Sequence, residues 1–133
     1  MKPTLQPGLA RTEQIHVDRP RTIDFMGDAC RVYATPELLR DIEACSRRLL
    51  LEHLDPGEDT VGTRVVLDHL AATPLGMSVD ISVSVTRVEG RKVTLLIECR
   101  DAVDRVAGGE HQRFVVDLAT TLKRLQTKAA QVR

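Results

Sequence analysis

TPELLRDIEACSRRLLLEHLDPGEDTVGTRVVLDHLA, residues Thr35 to Ala71, changes its hydrophobic period once, and that change decides the fold. In its first half Leu38, Leu39, Ile42, Cys45, Leu49 and Leu50 recur at three- and four-residue steps, the period of a helix with one apolar face. The start is marked chemically: Thr35 is an expected N-cap, Pro36 suits the first helical position, and Glu37 sits well in the positive first turn. Asp55-Pro56-Gly57 is a strong breaker, so the helix is expected to run to about Leu54. Beyond it the period falls to two. One face of the segment Val61 to Ala71 is expected to carry Val61, Thr63, Val65, Leu67, His69 and Ala71, with Gly62, Arg64, Val66, Asp68 and Leu70 opposite.

Working outward, Ser78 to Val88 alternates more cleanly, with Val79, Ile81, Val83 and Val85 on one face and Ser78, Asp80, Ser82 and Ser84 on the other. Glu89-Gly90 predicts a tight turn, after which Val93, Leu95, Ile97 and Cys99 share a face of the next strand. A last strand is expected from about Arg105 to Leu118, bulged at Gly108-Gly109, and Ala119 to Arg133 reads as a short terminal helix. Upstream of the long helix, Ala10 to Val17 suits a strand between Gly8 and Pro20. Four consecutive strands with short connections predict an antiparallel meander. Its apolar face needs a cover, and only the long helix can supply one. A curved antiparallel sheet wrapped around one long helix is the hot-dog architecture, an α+β fold, expected here as one domain over residues 1–133.

Composition narrows the function. Lys plus Arg equals Asp plus Glu at 19 each, so the basic excess of a nucleic-acid binder is missing. One Tyr, two Phe and no Trp leave no aromatic platform on which bases would stack. No apolar run is long enough to span a membrane, and the N-terminus has polar and Pro residues where a signal peptide would be apolar. Cys30, Cys45 and Cys99 form an odd, scattered set without metal-ligand spacing; they read as reduced, mostly buried thiols of a cytoplasmic protein.

Two residues conflict with simple core building. His69 falls on the apolar face of its strand, between Leu67 and Ala71, and Glu43 lies on the helix between Leu39 and Leu50. A buried carboxylate is expensive unless paired or hydrogen-bonded. If helix and sheet pack together these two groups can converge, with the Thr35 hydroxyl at the helix start, where backbone N–H groups are unpaired. A hydroxyl, a carboxylate and an imidazole together suit acyl transfer. Each residue also has an ordinary reading. Thr35 is a cap, Glu43 a solvated partner of Arg47 or Arg40, and His69 a satisfied half-buried histidine.

Further blocks occur in order and without an evident gap: Asp55-Pro56-Gly57-Glu58, Val61-Gly62-Thr63, His69-Leu70-Ala71-Ala72-Thr73-Pro74, Val88-Glu89-Gly90-Arg91 and Gly109-Glu110-His111-Gln112-Arg113. By these the stretch from Tyr33 to Val116 resembles the fluoroacetyl-CoA thioesterase family of hot-dog proteins. The resemblance implies a catalytic Thr eight residues before a catalytic Glu, matched by Thr35 and Glu43, and a catalytic His at His69. It implies a glycine close to the bound acyl group, matched by Gly62, and a basic pair near the pocket, matched by His111 and Arg113. Departures exist. The residues between Thr35 and Glu43 are small and apolar in the family, whereas Pro36, Glu37, Arg40 and Asp41 stand here. The fluoroacetyl-selective enzyme has two Phe before its Thr; by count those positions are Met26 and Ala29, which predicts a more open entrance and acyl groups larger than acetyl.

The expected reaction is hydrolysis of a small or medium acyl-CoA to free acid and CoA, with no metal or cofactor in any step. The carbonyl would lie at the helix N-terminus, whose N–H groups stabilise an oxyanion. Glu43 serves as nucleophile or as general base for water, His69 carries the proton, and Thr35 orients the carboxylate or donates to the reacting oxygen. Arg87, Arg91 and Lys92 flank a turn where CoA phosphates can bind. Open edge strands and the family's habit predict a homodimer or a dimer-based tetramer, with the groove near the interface. A non-catalytic acyl-CoA-binding or pathway-partner protein of the same fold is the alternative, favoured by Arg40 and Asp41 beside the site. A hydratase acting on enoyl-CoA is a third reading, but no second His falls on an apolar strand face.

Overall fold

The computed structural model describes residues 1–132. The long helix, α1, spans Thr35–Leu51 and buries Leu38, Ile42, Cys45, Leu49 and Leu50 along one face. Ala34, in extended conformation, occupies the N-cap and makes no side-chain cap bond, which makes Thr35 the first helical residue. Its hydroxyl is therefore not spent on the helix. α1 stops at Leu51, short of Leu54, because the N–H groups of His53 and Leu54 turn back to the carbonyls of Leu50 and Leu51.

The strands are β1 (Ala10–His16), β2 (Glu58–His69), β3 (Ser78–Glu89), β4 (Lys92–Arg100) and β5 (Arg105–Asp117). All pairings are antiparallel, and the order across the sheet is β1-β3-β4-β5-β2. The expected four-strand meander thus holds only for β3, β4 and β5. β2 leaves its sequence neighbour and forms an edge beside β5. The cause lies in the connection between β2 and β3: Val32 bridges to Pro74 and the Tyr33 N–H bonds the Thr73 carbonyl, so residues 70–77 run across the fold instead of folding back as a hairpin. The concave face of the sheet carries Val79, Ile81, Val83 and Val85 of β3 with Val93, Leu95, Ile97 and Cys99 of β4, all buried against α1. That is the alternation expected from the sequence.

β2 departs from it. Its register with β5 shifts between Gly62 and Arg64, leaving Thr63 as the extra residue of a β-bulge. Ahead of the bulge Thr60 and Gly62 pair with the inward-facing Val115 and Arg113; after it Val65 and His69 pair with the inward-facing His111 and Ala107. Val61 is exposed, not inward as strict alternation required. Gly108-Gly109 is not the bulge. A Cβ at Gly109 would lie 1.9 Å from the Val66 carbonyl oxygen, so glycine here permits the close approach of β2 to β5.

The segment between β1 and α1 is pinned at the start of α1. The buried Tyr33 hydroxyl donates to the Asp41 carboxylate, and Arg21 donates to the same group from Nε at 2.9 Å and Nη2 at 3.2 Å. α2 (Leu118–Ala130) is capped by Asp117, which accepts from the Thr120 N–H, and buries none of its residues. Among the described residues no helix is long and apolar enough to cross a membrane.

Candidate active site

Two of the three residues singled out for chemistry meet. The Thr35 hydroxyl lies 2.7 Å from His69 Nδ1, joining the first residue of α1 to the last of β2. They share an open cleft of about 320 Å³ whose wall includes Ile23, Phe25, Tyr33 and Leu70. The other ring nitrogen, Nε2, is buried and has no partner. Burial pushes the His69 pKa below its usual value. The ring is thus neutral near pH 7, with one nitrogen tied to a hydroxyl and the other uncommitted. Such an imidazole can take up or give a proton.

Glu43 opens into a different cavity, of about 230 Å³, with Gly62, Thr63, Arg64, Val65 and His111. Eight helical residues separate it from Thr35, on the order of 12 Å along the axis. Within one chain the Thr, His and Glu do not form one cluster. The Glu43 carboxylate is 42% exposed, so it is not the buried acid expected, and it accepts from Arg113 Nη1 at 3.3 Å. The buried charge here is that of Arg113, whose side chain is 5% exposed. A Cβ at Gly62 would lie 2.6 Å from Glu43 Oε2, so a larger residue there would push the carboxylate aside.

The ordinary readings resolve accordingly. Thr35 is not the cap, and Arg47 is bound to Asp59, leaving Glu43 to Arg113. Asp41, which made the helix look unlike an active site, is held by Tyr33 and Arg21 and lines neither cavity. The basic turn offers little free charge: Arg87 and Lys92 both face Glu89, and Arg91 faces Glu58. Neither Met26 nor Ala29 lines the cleft; Phe25 does, one residue from the counted position. Thr60, just ahead of the alternating run that starts at Val61, is buried against Arg113. Only the bulge reveals it.

Burial also lowers the pKa of His111, helped by the neighbouring Arg113 cation. Both histidines therefore keep their neutral form to lower pH than in the unfolded chain, where the value is about 6.5. Below that value the unfolded chain takes up more protons than the folded one, so this part of the stability is complete above it and is lost as the pH falls towards the lowered values. The melting temperature is expected to drop between about pH 7 and about pH 5, and His111→Gln should flatten that slope. An identical slope in the variant would remove His111 from the cause.

The chain is similar to known proteins in sequence and in fold. The family model for fluoroacetyl-CoA-specific thioesterase matches residues 17–119. The fluoroacetyl-CoA thioesterase of Streptantibioticus cattleyicolor is 34% identical over 87 residues, covering 65% of this chain and 63% of that enzyme, so the match spans under two thirds of the relative's length. The crystal structure of a mutant of the fluoroacetyl-CoA-specific thioesterase FlK superposes with a TM-score of 0.86 at 28% identity, covering 96% of this chain and 99% of the other. A hot-dog-like protein from Thermanaerovibrio acidaminovorans gives a TM-score of 0.85 at 28% identity over 92% and 91% of the two chains. With its helix-on-curved-sheet architecture and a sequence matched across the elements that carry Thr35, Glu43, Gly62 and His69, the chain belongs to the fluoroacetyl-CoA-specific thioesterase family of hot-dog proteins.

Proposed function

We propose that this chain, acting as one thioesterase domain, hydrolyses acyl-CoA thioesters to free acid and CoA, with Thr35, Glu43 and His69 as the reacting residues. The observation that carries the reading is the 2.7 Å contact between Thr35 and His69 with the second ring nitrogen left unpartnered. In a homodimer, the thioester carbonyl lies between Glu43 of one protomer and the start of the partner's α1, where first-turn N–H groups receive the developing oxyanion. Glu43 either attacks the carbonyl carbon, expelling the CoA thiolate and forming an acyl–Glu43 anhydride that water then cleaves, or takes the proton of a water that attacks directly. In both routes neutral His69 collects the water's proton and passes it to the thiolate sulfur as the free acid is released. Gly62 leaves room for the acyl group beside Glu43, and His111 and Arg113 form the wall behind it.

The separation of Glu43 from Thr35 and His69 supports a homodimer, alone or within a tetramer. β2 is a twelve-residue edge strand that exposes Val61, Val65 and Val66. Paired antiparallel with its copy about a point near Val65, it sets Gly62 and Glu43 of one protomer towards the partner's His69. Such a pairing also removes an edge that would otherwise invite aggregation. The two free cysteines buried in the core suit a reducing cytoplasm.

Release of free thiol from a panel of acyl-CoAs tests the function. With Met26 and Ala29 outside the cleft and Phe25 78% exposed at its mouth, turnover is expected to be better for branched, aromatic or longer acyl groups than for fluoroacetyl-CoA. A kcat/KM that peaks at fluoroacetyl-CoA and falls with each added carbon would contradict the selectivity. Tight binding without release across the panel would favour the acyl-CoA-binding alternative.

A further inference from the structure

Arg113 is almost wholly buried, and a buried guanidinium is costly unless its donors are met. They are met in an uneven way. Nε donates to the Thr60 hydroxyl at 2.8 Å, and Nη2 to the Thr60 carbonyl at 2.8 Å. Nη1 reaches Glu43 Oε2 at 3.3 Å and His111 Nε2 at 3.2 Å. A guanidinium has donors only, so His111 Nε2 must be the acceptor. The His111 proton then sits on Nδ1 and is donated to the Arg64 carbonyl at 2.9 Å. Every partner but one is neutral. The positive charge is consequently directed at the one carboxylate it bonds, Glu43, whose own side chain is half-exposed beside Gly62.

One residue, Thr60, supplies two of these acceptors. It does so because of the Thr63 bulge, which turns Thr60 towards Arg113 while His69 keeps its own inward position further along the same strand. Thr60 lines neither cavity and touches no reacting group. We infer that Thr60 is a positioning residue of this enzyme: its hydroxyl and carbonyl hold the Arg113 guanidinium, and Arg113 holds Glu43 at the angle the reaction needs. The inference rests on the assignment of Glu43 as a reacting residue.

The experiment compares Thr60→Val, which keeps shape and carbonyl but removes the hydroxyl, with Thr60→Ser, which restores it. Thr60→Val is expected to lower kcat roughly 10-fold, the weight of a hydrogen bond to a charged group. KM for acyl-CoA should stay within about 2-fold, since no uniform binding contact is lost. Thr60→Ser should recover most of the rate, and in the Glu43→Gln background Thr60→Val should cost little more. Ring ¹⁵N shifts of His111 give a readout that needs no turnover: the Nδ1-protonated form in wild type and Thr60→Ser, a mixture of tautomers in Thr60→Val. If Thr60→Val fails to fold, Thr60→Cys, of similar volume, takes its place. A wild-type kcat with an unchanged His111 tautomer in Thr60→Val overturns the inference, as does a Thr60→Ser enzyme no better than Thr60→Val. An active Glu43→Gln enzyme defeats the assignment of Glu43 instead.

Discussion

His69→Ala should lose roughly 10²- to 10⁴-fold in kcat while still folding, the range in which a positioned general acid–base acts. The structure separates this from a core defect. His69 is only partly buried, its Nδ1 bonds a hydroxyl at the rim of an open cleft, and its Nε2 has no protein partner to lose. A histidine kept for packing would give the reverse pattern, a lower melting temperature with activity per folded molecule preserved. Glu43→Gln should lose as much or more, and the double variant far less than the product of the two, because groups that act as a unit are not additive. The wild-type rate should rise with pH along a limb lying below the usual histidine value, since burial lowers the His69 pKa. The check is kcat for the four proteins on one accepted acyl-CoA, each with a thermal melt. A folded His69→Ala enzyme with near-wild-type kcat would sink the mechanism.

A mixture of two dead enzymes should regain activity. If the partner's His69 completes the site around Glu43, a dimer of one His69→Ala chain and one Glu43→Gln chain has one damaged site and one intact site. Co-expressed in equal amounts and assorting at random, the two chains should recover about one quarter of the wild-type rate. Either variant alone gives almost none. If all three residues of a site came from one chain, no combination would contain an intact set. The effect is thus all or nothing, and it reads the geometry directly. The contrast arises because Glu43 lies in a cavity with Gly62 and His111, whereas His69 lies in a cleft with Thr35 and Phe25. Light scattering gives the companion measurement. A monomer at micromolar concentration would leave the exposed β2 edge unpaired and remove the basis of the prediction.

Much of the architecture was legible in the order of residues because it depends on period and punctuation. The helical spacing from Leu38 to Leu50, the breaker at Asp55-Pro56-Gly57 and the alternation of Val79 to Val85 need only local chemistry to read. Glu43 and His69 stood out for the same reason, as polar groups on faces expected to pack, and Thr35 as the hydroxyl at the helix start. The position of β2 was not legible, since the choice between a hairpin with β3 and an edge beside β5 depends on contacts of residues 70–77 with Val32 and Tyr33, far away in sequence. Nor was the Thr63 bulge, because a one-residue slip in pairing leaves no mark on either strand alone.

What the sequence determined by itself is the set of parts: one amphipathic helix, alternating strands, and three residues suited to acyl transfer. Which of those parts meet was decided only by tertiary structure. The bulge turned Thr60 towards Arg113, freed Val61 to the outside, and kept His69 facing Thr35. The helix then set Glu43 two turns away from them, beside Arg113. Local propensity cannot fix such distances, because each depends on how a strand registers against a neighbour chosen from elsewhere in the chain.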